Sequence, residues 1–142
     1  MRIQDVLRRK GTMVATIRPD KTVNDLLASL STHGVGALVV STDEQTVAGI
    51  VSERDVVRRL HEQGVGILDR PVEEIMTSSV HTCGPEDALH DIMRVMTLRR
   101  VRHVPVIVDQ KLAGLVSIGD IVRHRIEELE DERSQLEHYI SG

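Results

Sequence analysis

Apolar residues recur along this chain in two periods, and their alternation predicts its elements. Val23, Leu26, Leu27 and Leu30 fall at i, i+3, i+4 and i+7, the spacing that gathers side chains on one helical face. Leu89, Ile92, Met93 and Met96 repeat that stripe. Behind each stripe lies a short β-rich apolar run, Val35–Val40 and Val101–Val108, with the composition of a buried strand. A polar turn follows (Thr42-Asp43-Glu44-Gln45, then Asp109-Gln110-Lys111) and leads into a second strand, Val47–Val51 or Leu112–Val116. So short a connection makes each strand pair an antiparallel hairpin. Ser52 and Ser117 then open a second helix, with Val56, Val57 and Leu60 apolar in one case and Ile121, Val122 and Ile126 in the other. Each unit reads strand, helix, strand, strand, helix.

The two units are copies. Val14-Ala15-Thr16-Ile17-Arg18-Pro19-Asp20 lies over Val80-His81-Thr82-Cys83-Gly84-Pro85-Glu86, a shift of 66 residues (80 − 14). The register holds through Asp25/Asp91, Leu30/Met96 and Val40/Val106. A one-residue gap near Thr46 changes the shift to 65 (114 − 49), where Gly49-Ile50-Val51-Ser52-Glu53-Arg54-Asp55 meets Gly114-Leu115-Val116-Ser117-Ile118-Gly119-Asp120. Unrelated β–α segments would share apolar positions alone; shared Pro, Gly, Ser and Asp indicate duplication. A unit of about 60 residues is marginal by itself, so the copies are expected to pack together about a pseudo-twofold axis.

The segment from Arg58 to Pro71 carries the end of a helix and a linker punctuated by Gly64, Gly66 and Pro71. Beyond Asp120 the helical pattern runs on toward Tyr139, with Ile126, Leu129, Leu136 and Ile140 at rough a/d spacing and Arg133 interrupting. Two heptads are too few for a coiled coil. The charge pattern reads as a solvated helix with one seam resting on the body or on a second chain.

Composition narrows the chemistry. The chain has 40% hydrophobic residues but no Trp, no Phe and one Tyr. Aliphatic residues and Met therefore build the core, and no aromatic platform exists for stacking nucleic-acid bases. A net charge of −4 argues against a phosphate-backbone footprint. One cysteine cannot form an internal disulfide, and neither a signal-peptide pattern nor an 18-residue apolar run is present. The expectation is a cytoplasmic protein that binds neither nucleic acid nor membrane.

The sharpest motif is Gly-apolar-apolar-Ser-x-x-Asp, which occurs twice after a predicted strand. One reading is a capping box, in which Ser and Asp satisfy orphan amides at a helix start. The other uses the same geometry as a phosphate cradle, with the carboxylate accepting from ribose hydroxyls. Arg102 and His103 enter the copy-two strand beside this cradle, whereas Arg99 and Arg100 read as surface charge; Arg54 supplies a cation in copy one. Seven histidines show no metal-ligand spacing, and GxSxG, Walker A and GxGxxG are missing. No catalytic or metal-binding residue is expected.

The duplicated unit, closed by Gly-Ile-Val-Ser-Glu-Arg-Asp and Gly-Leu-Val-Ser-Ile-Gly-Asp, resembles the CBS (cystathionine β-synthase) domain. Val72-Glu73-Glu74-Ile75-Met76-Thr77 and Arg102-His103-Val104-Pro105-Val106 are further marks of the family. Val51-Ser52-Glu53-Arg54-Asp55 and Glu137-His138-Tyr139-Ile140 are similar to a freestanding bacterial subgroup with no fused enzyme or channel. The resemblance implies an α/β (α+β) fold of tandem CBS domains, each a small three-stranded sheet with two helices, plus a C-terminal helical extension. The expected boundaries are 1–70, 71–126 and 127–142.

By the same resemblance the module is regulatory, not enzymatic, and forms a homodimeric disc of four domains acting on an unknown partner. It implies an adenine nucleotide in the clefts, AMP ahead of ADP, ATP, NAD(H) or S-adenosylmethionine. The first-choice cleft takes Ser117, Asp120, Leu115, Arg102, His103, Lys21, Leu26, Val35 and Gly36. The second takes Ser52, Arg54, Asp55, Ile50, Val101, Asp87 and Ile92, with Arg102 shared. The alternative is a ligand-free interaction module whose Ser-x-x-Asp pairs are helix caps only.

Overall fold

In the computed structural model, which describes residues 1–141, the chain opens with a helix that the repeat did not announce. This α1, Ile3–Lys10, carries Ile3, Val6 and Leu7 on one face, all buried. The first unit follows as β1 (Thr16–Ile17), α2 (Val23–His33), β2 (Ala37–Val40), β3 (Gly49–Ser52) and α3 (Glu53–Gln63). The second comprises α4 (Leu89–Arg99), β4 (His103–Val108), β5 (Lys111–Ser117) and α5 (Ile118–Ser141). Short 3-10 turns at Val65–Asp69 and Val72–Glu74 connect the units, and Ile67 of the first is buried, so the linker is part of the body.

Both hairpins are antiparallel, with Ala37 opposite Ser52 and His103 opposite Ser117. The third strand differs between copies. β1 pairs in parallel with β2 through Thr16–Val39 and Ile17–Val40. In copy two the corresponding contact has shrunk to a single parallel bridge, Cys83 to Val106, so β4 and β5 form a two-stranded sheet. Pro19 stands in copy one where Pro85 stands here, so proline does not set the difference; after Cys83 the Gly84 amide donates to Asp87 Oδ2 at 2.7 Å in a turn of its own. The expected second three-stranded sheet is thus corrected to two strands and a bridge.

The cores cut across the chain order. One contains Ile17, Val23, Leu26, Leu30, Leu38, Val40, Val51 and Val56 of the first unit together with Val72 and Ile75, which precede the second. The other contains Leu89, Ile92, Met96, Val104, Val106, Val116 and Ile121 of the second unit together with Ile3, Val6 and Leu7. Each unit therefore receives the segment that leads into the other. Matching backbone hydrogen bonds hold the exchange. Val23 N–H donates to Arg70 O and Val72 N–H to Lys21 O; Leu89 N–H donates to Met1 O and Ile3 N–H to Asp87 O. Such reciprocity is what a twofold relation between the units requires.

The repeat's glycines serve this exchange. A Cβ on Gly49 would stand 2.7 Å from Met76 Sδ and 2.8 Å from Thr77 O, and one on Gly114 would stand 2.8 Å from Leu7 Cδ2. Both glycines sit where an exchanged segment crosses a strand.

One helical face stays outside the cores. Ile118, Val122, Ile126, Leu129, Leu136 and Ile140 run down α5, each between 38% and 83% exposed. No helix among the described residues is long and apolar enough to cross a membrane.

Candidate functional site

Each Ser-x-x-Asp motif forms a complete capping box at a helix start. Ser52 N–H and Oγ both donate to Asp55 Oδ2, at 2.8 and 3.1 Å, and Asp55 N–H donates back to Ser52 Oγ at 3.4 Å. In copy two Ser117 N–H donates to Asp120 Oδ2 at 2.9 Å and Asp120 N–H returns to Ser117 Oγ at 3.1 Å. The amide between them is used as well: Glu53 N–H donates to Gly36 O and Ile118 N–H to Arg102 O. Sequence spacing thus builds the caps as a helix start requires, and it seats each start on the strand entrance of the same copy.

What distinguishes the two motifs is the side chain lying across them. Over Asp120 it is Lys10, at the end of α1, whose Nζ donates to Asp120 Oδ2 at 2.5 Å and to Leu115 O at 2.7 Å. Burial pushes the Asp120 carboxyl up, but the Lys10 ammonium and the Ser117 amide outweigh it and hold the pKa below the usual carboxylate value. Glu53 reaches over Gly36 on the same side, with Oε1 only 3.0 Å from where a Cβ would stand. A small hollow of about 150 Å³ remains beside Lys10, Arg9, Asp120, Arg123, His124 and Glu127.

Over Asp55 the equivalent chain position is Ser79, related to Lys10 by the offset that superposes Met76 on Leu7. Serine is too short to reach across. The result is a cavity of about 250 Å³. Its apolar lining comes from Ala37, Ile50, Val80 and Val101, and its hydroxyl and carboxylate groups from Ser52, Asp55, Thr77 and Ser79. Arg54, Arg58, Arg100, His81 and His103 complete the lining. A pair of bridging bonds, Ile50 N–H to Thr77 O and Thr77 N–H to Ile50 O, both 2.9 Å, pins the linker wall against β3. Asp55 has three of its four acceptor positions occupied, by the two Ser52 donors and by Arg58 Nη2 at 2.9 Å, which leaves one for an incoming hydroxyl. Burial lowers the His103 pKa, with the Lys10 charge adding to the effect, so at neutral pH the ring is a neutral donor–acceptor.

Of the residues proposed for the Ser52 cleft, Ser52, Arg54, Asp55, Ile50 and Val101 line this cavity. Asp87 instead accepts from Gly84 N–H at 2.7 Å in its own turn, and Ile92 is buried in the second core. Among the residues proposed for the Ser117 cleft, Leu26 is fully buried in the first core, and Lys21 uses its carbonyl to hold Val72. Val35 is exposed at the strand entrance, Gly36 faces Glu53, and Leu115 and Asp120 are bound by Lys10. Arg102 is exposed and is not among the residues lining the 250 Å³ cavity, whereas His103 faces into it. Thr77, Ser79, Val80, His81, Arg58 and Arg100 are lining residues that the motif search missed. Comparing the exchanged segments in register, Lys10 against Ser79, is the signal that separates the clefts. Among the described residues no three His, Cys, Asp or Glu side chains gather as a metal site.

The family model for the CBS domain matches twice, over residues 3–62 and 72–127. The chain belongs to the CBS-domain family. It is a CBS-domain pair, 39% identical over 99% of its length, and over 72% of the relative, to the mitochondrial CBS domain-containing protein CBSX3 of Arabidopsis thaliana. The CBS domain-containing protein YhcV of Bacillus subtilis is 29% identical over 78% of this chain and 77% of its own. In structure the pair is similar to a CBS-domain containing protein from Agrobacterium tumefaciens, with a TM-score of 0.85 and 38% identity over 88% of this chain and 99% of that one. The first family match begins at α1, so the CBS unit as a family pattern includes the leading segment that each half here lends to the other.

Proposed function

We propose that this CBS pair is a non-catalytic regulatory module that binds one adenine nucleotide per chain, in the cavity beside Ser52 and Asp55. The observation that carries the reading is a cavity whose lining combines aliphatic side chains with hydroxyl, carboxylate and cationic groups. Ile50, Val80 and Val101 offer a base the apolar faces that aromatic rings provide elsewhere. The free acceptor position on Asp55 suits a ribose hydroxyl. The basic groups suit phosphate. A CBS-domain pair of the same fold, 21% identical with a TM-score of 0.79, was crystallised with 5′-methylthioadenosine and S-adenosyl-L-methionine, which supports an adenosine ligand in general terms.

The Ser117 cleft takes no nucleotide while Lys10 is seated on Asp120. Two chains pair through the exposed aliphatic seam of α5, and nucleotide occupancy alters the surface that a separate partner reads.

The test is calorimetry together with thermal shift against AMP, ADP, ATP, NADH and S-adenosylmethionine. A ligand present at 100 times its dissociation constant adds about 2.7 kcal/mol to stability. The expected result is stabilisation with one site per chain, abolished by filling the cavity with Val101→Phe. No stabilisation by any of them overturns the proposal.

One observation favours a second reading, a ligand-free interaction module: both Ser–Asp pairs are already closed capping boxes. In that case a partner is captured equally well with or without nucleotide.

A further inference from the structure

The cavity's cations are more numerous than one phosphate needs. Arg54 and Arg58 stand on α3 and Arg100 at the end of α4; all three are exposed whereas Ile50, Val80 and Val101 are half-buried, so the arginines mark the solvent-facing mouth. Asp55 is the acidic side chain of the lining, and it is already paired with Arg58. His103 is held neutral by burial and His81 lies in the linker wall, so the fixed charge at the mouth is positive.

Arg100 is placed there against its backbone preference. It caps α4 in the left-handed conformation, φ 54° and ψ 38°. The equivalent residue that caps α2 is Gly34, with φ 63° and ψ 38°, the residue type this conformation favours. The two copies thus share a turn, but copy two carries an arginine in the left-handed backbone conformation where copy one carries glycine. Strain kept at the mouth of a cleft is a mark of a positioned functional group. The cavity is smaller than the roughly 300 Å³ at which ligand pockets usually begin. A nucleoside in a cavity of this size would leave its phosphate chain to extend outward past the arginines.

Resting on the nucleotide reading above, we propose that this cleft selects a nucleoside di- or triphosphate over the monophosphate and over a cationic sulfonium nucleoside, and that Arg100 sets the preference. The β-phosphate, which the monophosphate lacks, carries negative charge out to the mouth, where Arg100 donates in charge-assisted, fork-like geometry. S-adenosylmethionine brings positive charge to the same place and is disfavoured.

The experiment is calorimetry of the full chain, free of divalent cations, with ATP, ADP, AMP and S-adenosylmethionine, repeated on Arg100→Gly and Arg100→Lys. ADP and ATP are expected to bind about ten- to a hundredfold more tightly than AMP. Arg100→Gly should erase that advantage while changing AMP affinity less than about threefold, and Arg100→Lys should keep part of it. Arg100→Gly should also melt at a higher temperature than the parent, because glycine relieves the left-handed residue, so lost affinity cannot be ascribed to misfolding. AMP binding as tightly as ATP, or an unchanged ATP-to-AMP ratio in Arg100→Gly, overturns the proposal while leaving the nucleotide reading standing. Failure of every nucleotide to bind overturns both.

Discussion

Alanine at Gly49 and at Gly114 is the same mutation at the same place in the two copies, and the neighbours predict unequal costs. The new Cβ at Gly114 meets Leu7 Cδ2 at 2.8 Å and Cδ1 at 3.1 Å, the flexible end of a side chain. At Gly49 it meets Met76 Sδ at 2.7 Å, which can also swing away, but in addition Thr77 O at 2.8 Å, which cannot. That carbonyl accepts from Ile50 N–H and holds the linker to β3. Overpacking costs about 1–3 kcal/mol, and replacing glycine returns about 0.4–1 kcal/mol by restricting the unfolded chain. Taking the low end of overpacking for a rotating leucine and the high end for displaced backbone, Gly114→Ala loses roughly 0.5 kcal/mol and Gly49→Ala roughly 2.5 kcal/mol. With a urea slope of about 2 kcal/mol/M, the midpoints of the two variants differ by about 1 M at unchanged slope. Adding Met76→Ala to Gly49→Ala should recover little, since the carbonyl contact survives. Equal midpoints, a reversed order, or full rescue by Met76→Ala would refute the assignment of the clash to the Thr77 backbone.

Three further outcomes follow from the site and its surroundings. Lys10→Met should raise the nucleotide stoichiometry from one toward two per chain by calorimetry, and a count that stays at one would show that Lys10 is not what closes the Ser117 cleft. Because the Asp120 carboxyl lies below its ordinary pKa, its contribution is present above the unfolded carboxylate value and lost as pH falls through the folded one. Stability measured by urea titration across the acid range should therefore decline less steeply in Lys10→Met than in the parent. Burial pushes the Cys83 thiol up to about 12, so the native protein should resist alkylation at pH 8 and react at the full rate only in urea; prompt native labelling would contradict that burial.

The duplication, both hairpins and the two helices of each copy were legible because they rest on local periodicity and on Pro, Gly, Ser and Asp at matching places. The helix α1 was not, since its eight residues carry a single apolar face whose partner core lies about eighty residues downstream. Leu26, which the family resemblance implies for the Ser117 cleft, lies in the first core because α2 turns that face inward. Which cleft forms a cavity depends on Lys10 and Ser79, outside the repeated motif, and no pattern within one copy reveals a side chain lent by the other. The resemblance implies both Arg102 and His103 for the Ser117 cleft as well; the structure turns His103 into the cavity beside Ser52 and leaves Arg102 exposed.

The traded leading segments also say something about assembly and ancestry. A piece cut at residue 70 keeps Ile3, Val6 and Leu7 but lacks the core they fill, while the remaining piece keeps Val72 and Ile75 with nothing to cover. Each fragment alone is a plug without its socket, yet the two are complementary, so co-expressed halves should reassociate into one body where either by itself aggregates. A single unit on its own would have the same gap, and a second copy swapping the same segment would fill it. Joining two such units end to end turns a concentration-dependent partnership into an intramolecular one. It also leaves the two copies free to differ, as the lysine at one crossing and the serine at the other do.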